Sequence, residues 1–286
     1  MLVALAVAAC GGSSGGSTAA AKQLLSETFS TASLQKVKSG ELALNIDAKL
    51  NGLSALGGQP VSIVMDGPFS DSGSSPAFDF DATVTVRGET IPLGLVDAHG
   101  AIYLKLLGTY YKLPVSDSSA QGQGSSGADK NLLSSLGIHP LAWLTDPKIV
   151  GTATVAGVAT QHVSAQVDVS RLLSDAGKIA GNLSGIAGQE ASSALSPATL
   201  SQVGSAITSA SVDVYSGSSD HILRELRLDV AFTVPAGDRS GLDGLTGGSL
   251  DIQATLSALN SPETITAPAT SEPFSDLLGG GGLGSL

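Results

Sequence analysis

Between residues 40 and 50 the chain reads GELALNIDAKL, in which Leu42, Leu44, Ile46, Ala48 and Leu50 alternate with Glu41, Asn45, Asp47 and Lys49. Side chains two residues apart point to one side of an extended backbone, so the stretch predicts a strand with one dry and one wet face. The same period returns in FDFDATVTVRG, where Phe78, Phe80, Ala82, Val84 and Val86 face one way and Asp79, Asp81, Thr83, Thr85 and Arg87 the other. Further strands are predicted at PVSIVMDGPF, TIPLGLVDA, AIYLKLLGTYYKL, TATVAG, ATQHVSAQVDV, ASVDVYSG, HILRELRLDVAFTV and SLDIQATLSAL. Turn signals at Gly88, His99-Gly100 and Ala156-Gly157 join neighbours as hairpins. The pattern predicts a long antiparallel meander.

Helical spacing appears in three places. Ala21, Leu24, Leu25, Thr28, Phe29 and Ala32 predict a first amphipathic helix within AAAKQLLSETFSTASLQKV. Leu172, Leu173, Ala176 and Ile179, then Leu200, Val203 and Ile207, predict two more helices separated by Pro197. HPLAWLTDP predicts a short helix anchored by Trp143, and residues 116–130, SDSSAQGQGSSGADK, predict a loop. Strands with one apolar face plus a few helices predict an α+β fold, a curved antiparallel sheet with helices laid across its concave face.

Composition narrows the function classes. The chain has 286 residues, 42% of them hydrophobic and 14% charged, enough to bury a core. A net charge of −11 with only 14 Lys and Arg excludes a phosphate-binding surface of the nucleic-acid type and a polybasic membrane patch. No apolar run reaches the roughly 18 residues of a spanning helix. His99, His139, His162 and His221 are scattered, without the close spacing of a zinc site, and nothing points to a cofactor.

Two enzyme-like strings carry no chemistry. Residues Gly11 to Gly15 satisfy GxSxG and residues Gly279 to Gly284 satisfy GxGxxG, but neither has the strand before it and helix after it that the motif requires. Asp79 and Asp81 share a wet strand face and lack the third ligand and turn glycine of a calcium loop. Asp220-His221 reads as a turn and His162 as a surface or rim residue. No nucleophile, base and orienting group assemble, so no catalytic residue is expected.

The single cysteine, Cys10, follows an apolar run and precedes GGSSGGS, a flexible composition that builds neither a disulfide nor a catalytic pocket. Val7-Ala8-Ala9-Cys10 resembles a bacterial lipobox, although no Lys or Arg precedes it. That resemblance implies cleavage before Cys10, acylation of its thiol and anchoring to the outer face of the cell membrane. The expected division is a signal remnant at 1–9, the lipidated cysteine and linker at 10–21, one domain at 22–268 and a Gly-rich tail at 269–286.

The order of helix, strands and the mid-chain pair TATVAGVATQHVSAQVDVSRLL and VDVYSGSSDHILRELRLDVAF resembles the LppX/LprAFG lipoproteins of actinobacteria, whose fold is similar to the lipoprotein carrier LolA. MDGPFSDSGSSPAFDFD and VDAHGAIYLKLLGTYYKL, with Tyr103, Tyr110 and Tyr111, share the resemblance, which covers most of residues 30–260. It implies a half-barrel sheet and helices enclosing an apolar cavity that holds the acyl chains of lipids or glycolipids, with no catalytic residues.

Positions expected to line the cavity are Phe80, Val84 and Val86 on one strand, Leu93 on the next, and Leu104 and Leu106 beyond. Leu226 and Leu228 on a later strand, Ile179 on a helix and Trp143 complete the set. Interiors normally pack without large voids, so composition alone favours a closed core, and the resemblance reverses that preference. The implied function is a carrier or presenter of envelope lipids. The competing reading is a non-enzymatic interaction or assembly module without lipid cargo, needing an external patch where a carrier needs an internal one.

Overall fold

The computed structural model describes residues 14–53, 56–71, 76–98, 100–114, 140–175, 204–237, 239 and 244–279. Cys10 and Ile179, together with Pro197, Leu200, Val203 and the 116–130 stretch, lie outside the described residues.

Among the described residues twelve strands form one open, curved sheet. In chain order they are β1 (Ser39–Asn51), β2 (Val61–Ser70), β3 (Ala77–Val86), β4 (Glu89–Ala98), β5 (Ala101–Leu106) and β6 (Thr109–Lys112), then β7 (Leu144–Val155), β8 (Val158–Val167), β9 (Ile207–Gly217), β10 (Leu223–Thr233), β11 (Gly247–Ser257) and β12 (Glu272–Pro273). Their spatial order is β12-β6-β5-β4-β3-β2-β1-β11-β10-β9-β8-β7. Two antiparallel meanders, β1 to β6 and β7 to β11, are therefore joined along one seam. There β1 and β11 pair antiparallel from Glu41↔Ser257 to Asn51↔Gly247, without a register break. The expected antiparallel sheet is present, made mixed by the parallel pairing of β12 with β6.

Hairpin twist is set by two-residue turns in which both central residues have positive φ: Arg87 and Gly88 (53° and 78°), Leu107 and Gly108 (50° and 88°), Ala156 and Gly157 (47° and 79°). That handedness matches the twist of the strands they join, and glycine takes the second position at no steric cost.

The helices differ from expectation. The first helix, α1 (Ser14–Thr28), starts inside the stretch expected to be linker. Alanines propagate a helix well, and Ala21 is fully buried in the core cluster. A second helix, α2 (Thr31–Leu34), follows a break at Ser30. The Ser30 backbone is extended, its Oγ accepts from Ser33 N–H at 3.1 Å and donates to the Glu27 carbonyl at 2.7 Å, so one hydroxyl ends one helix and caps the next. The predicted HPLAWLTDP helix is only α3 (Pro140–Trp143), and Leu144 already belongs to β7. Asp146 there is left-handed (φ 48°) and the register with β8 shifts between Thr145 and Lys148, so a bulged strand carries the residue types of a turn. Ile207, expected on a helix, opens β9. Within the expected tail, β12 and a helix α4 (Phe274–Gly279) are formed.

Packing falls on both sides of the sheet. On one side α1 lays Ala21, Leu24 and Leu25 onto Val163, Ala165, Val212 and Val214 of β8 and β9. On the other, near the far end of the first meander, Ala77, Val96 and Tyr103 gather around Ile265 of the segment that follows β11.

At the seam the wet face carries a direct cross-strand run of like charge, Asp47↔Asp251↔Asp229. Partial burial, then the hydrogen bond and charge of Asp251, push the Asp229 carboxyl above its ordinary value, Asp213 adds to the rise and Arg227 opposes it. The folded chain therefore holds this proton more tightly than the unfolded chain, and stability is lost as pH rises from the unfolded value of about 4 through the raised folded value. Asp251→Asn should stabilise the chain at neutral pH by about 0.5 kcal/mol, the scale of one exposed cross-strand pair. Urea midpoints of the two proteins should differ at neutral pH and converge on acidification; equal midpoints at neutral pH would refute the repulsion.

Candidate functional site

Directly opposed residues in a ladder share a face, so the register decides which side chains meet. One row runs Leu106, Leu93, Ala82, Met65, Leu44, Ala254, Leu226, Val214, Val163 and Ile149, one residue from each of β5, β4, β3, β2, β1, β11, β10, β9, β8 and β7. Every member is apolar. A parallel row runs Ile91, Val84, Ile63, Ile46, Ile252, Leu228, Val212 and Ala165. The two rows make a continuous apolar surface across both meanders.

Its cover is uneven among the described residues. Over β8 and β9 the face is sealed: Val163 and Val214 are each 1% exposed beneath α1. Leu226 and Leu228 on β10 are half-buried, and the same holds for Leu44, Ile46, Ile63, Met65, Val84, Leu93 and Ile252. The apolar surface thus grades from a closed core under α1 to half-buried positions on β11 and β1 to β4.

α1 is fixed at its C-terminal end by polar contacts. The hydroxyls of Thr28 and Ser216 lie 2.7 Å apart and both residues are buried, while Glu27 Oε2 approaches His221 Nδ1 at 2.7 Å. At the opposite end of β8 a second fastening holds α3 to the helical residues 169–175. Trp143 Nε1 donates to Asp175 Oδ2 at 2.8 Å, Arg171 donates to the Ala142 carbonyl at 2.8 Å, and Asp168 N–H donates to the Trp143 carbonyl at 2.7 Å. Asp175 is 5% exposed, and Trp143 with Leu172 packs against the cluster under α1.

Of the ten expected cavity positions, eight sit on strands: Phe80, Val84, Val86, Leu93, Leu104, Leu106, Leu226 and Leu228. All eight occupy the apolar face, since Phe80↔Leu95↔Leu104 and Ala82↔Leu93↔Leu106 are opposed pairs of the same parity. Trp143 lies at the margin of the sealed half, and Ile179 lies outside the described residues. The central members Ile46, Ile63, Met65 and Ile252 were not among the expected positions. Their strands carry the same two-residue period, and that period was signal enough to include them.

Away from the cluster of Ala77, Val96, Tyr103 and Ile265, the opposite face is polar and internally paired. Glu225, 5% exposed, accepts from Arg227 Nε, from Gln253 at 2.9 Å and from Thr255 at 3.1 Å. His162, half-buried, stacks on Tyr215 with ring centres 4.4 Å apart and meets Asp213 at 2.7 Å. Lys105 bonds Asp81 at 2.8 Å, and that bond holds its ammonium above its usual range; burial, with Asp81 second, raises Asp79. Among the described residues no three His, Cys, Asp or Glu side chains group as a metal site, and no helix is long and apolar enough to cross a membrane.

No protein-family model and no curated relative matches the chain. Solved structures do align with it. The lipoprotein LppX of Mycobacterium tuberculosis is 15% identical, with 87% of this chain and 99% of that one covered and a TM-score of 0.45. LprF of Mycobacterium bovis is 14% identical over 88% and 98%, with a TM-score of 0.43. A putative outer membrane lipoprotein-sorting protein domain of Vibrio parahaemolyticus is 6% identical over 88% and 95%, with a TM-score of 0.22.

Trp143→Phe keeps the ring in the cluster and removes a donor from a buried carboxylate, a change that costs about 1–3 kcal/mol. Because Trp143 is the only tryptophan, unfolding is followed by far-ultraviolet circular dichroism. The urea midpoint should fall; an unchanged midpoint would show that the Trp143–Asp175 fastening contributes nothing.

Proposed function

We propose that the chain is an extracytoplasmic lipoprotein, anchored to the outer face of the cell membrane through acylated Cys10, that binds lipid acyl chains against the apolar face and carries or presents lipids or glycolipids in the cell envelope. The observation that carries this reading is the unbroken apolar row across ten strands, sealed by α1 at one end and half-buried over β11 and β1 to β4. Such a surface offers dispersion contacts and no hydrogen-bond partners, which suits methylene chains and no polar substrate. Each methylene moved from water onto it contributes about 0.8 kcal/mol. The lipobox-like Val7-Ala8-Ala9-Cys10 supports the anchor, and the same acyl chemistry then holds the protein at the membrane from which its cargo comes.

Native mass spectrometry of the protein exported from its own cells, with the N-terminal peptide read from the same sample, tests both parts. The reading expects a diacylglyceryl mass on Cys10 and a second, releasable lipid. An unmodified Cys10 would remove the anchor, and an acylated protein without releasable lipid would leave the interaction-module reading.

Two neighbouring substitutions separate the faces. Val84 and Thr85 are adjacent on β3 and both half-buried, but only Val84 belongs to the apolar row. Val84→Asp should lower co-purified lipid several-fold while Thr85→Asp retains it, measured by extraction of equal amounts of folded protein. Equal retention by both would contradict binding on this face.

A further inference from the structure

One buried charge stands at the margin of the apolar face. Neither of the two apolar rows contains a charged side chain, and on β10 they hold Leu226 and Leu228. Two residues before Leu226, and so on the same side of the strand, comes Arg224. The register there is bulged: Leu223 pairs with Ser216 and Glu225 with Tyr215, so Leu223 and Arg224 together oppose Ser216. Bulges of this kind re-aim a side chain. The surroundings agree with the facing. Leu223 packs against the sealed cluster, and Ser216 meets Thr28 of α1. On β1 and β11, Leu42 and Leu256 form the opposed pair that follows Leu44 and Ala254 on this face, and both are half-buried.

The Arg224 side chain is 9% exposed, yet its donors are only partly used. Nη2 donates to Asp220 Oδ2 at 2.6 Å, while Nη1, also buried, has no hydrogen-bond partner among the described residues. A carboxylate frequently grips a guanidinium with both oxygens. Asp220 does not, because its Oδ1 accepts from Ile222 N–H at 3.0 Å. The turn that holds it is closed by Gly217 N–H on the Ile222 carbonyl and by His221 N–H on the Gly217 carbonyl. A second cation, Lys36, reaches the Asp220 carbonyl at 3.5 Å. An unmet donor on a buried charge is costly, and an anionic oxygen is the partner that suits it.

We infer that Arg224 is the head-group contact of the apolar face, its Nη1 receiving an anionic oxygen, carboxylate or phosphate, of a lipid whose chain lies along the apolar rows. The inference rests on the acyl-binding reading and adds to it a preference for anionic over neutral lipids. Methylenes meet only apolar side chains on those rows, and the described part of the rows offers a charged oxygen no side-chain donor until Arg224 is reached.

Palmitate and methyl palmitate share a chain and differ in one charge, so titrating each into the full chain separates head group from tail. The unmodified chain should bind palmitate about tenfold more tightly, the scale of a hydrogen bond to a charged group. Arg224→Gln should remove that preference and leave methyl palmitate binding unchanged. Dipalmitoyl phosphatidate against dipalmitoylglycerol makes the same comparison for a phosphate. Asp220→Asn keeps an acceptor for Ile222 N–H and withdraws the competing charge, so it should tighten palmitate several-fold without moving methyl palmitate. Circular dichroism checks each variant, and if Arg224→Gln does not fold, the Asp220→Asn titration decides.

Equal affinity of the unmodified chain for charged and neutral lipids would overturn the proposal, as would a preference that survives Arg224→Gln or palmitate binding unchanged in Asp220→Asn. Binding of none of these lipids would overturn the acyl-binding reading itself, and the head-group contact with it. Inorganic phosphate alone should leave the urea midpoint where it is; a rise that Arg224→Gln abolishes would assign Arg224 to a free anion and overturn the lipid head group.

Discussion

The structure depends on the register of one seam. Nine strands lie between β1 and β11 in sequence, and the pairing of these two decides how the two meanders meet. A slip of a single residue would turn every side chain of one meander to the other side and break the apolar rows in the middle. In the observed register, Ile46 stands opposite both Ile63 and Ile252, and Leu44 opposite both Met65 and Ala254. One face is therefore apolar from β5 to β7, and the other gathers the charged and amide side chains.

That division has an energetic cost on the wet face. Asp47, Asp251 and Asp229 stand in line across the seam, where opposite charges would be worth more. Four residues before Asp229 on the same strand, Glu225 binds Arg227, Gln253 and Thr255 at once. On the dry face α1 covers β8 and β9, and its Thr28–Ser216 contact fixes where that cover ends. The remainder of that face is half-buried among the described residues.

Strand existence and facing were legible in the sequence because period-two alternation is a local signal, as in Phe78 to Val86 and Leu42 to Leu50. The hairpins at Gly88, Gly100 and Gly157 were legible through their turn glycines. The seam was not, since nothing near Leu44 in sequence records that Ala254 is its partner. The start of α1 at Ser14 was hidden by a Gly and Ser composition that reads as linker. LTDPK carried turn residues into an edge strand, where a bulge accommodates them. The site was legible as a face and not as a boundary: Phe80, Val84 and Leu228 were placed on it from alternation, whereas which part α1 covers is a matter of tertiary packing.

Whether the apolar face receives acyl chains is measured most directly by where a photoactivatable fatty acid attaches to the full chain. The labelled peptides, identified by mass spectrometry, should be those carrying Ile46, Ile63, Val84 and Ile252. Attachment confined to the wet face, around Asp229, Gln253 and His162, or no attachment above that of a denatured control, would contradict it.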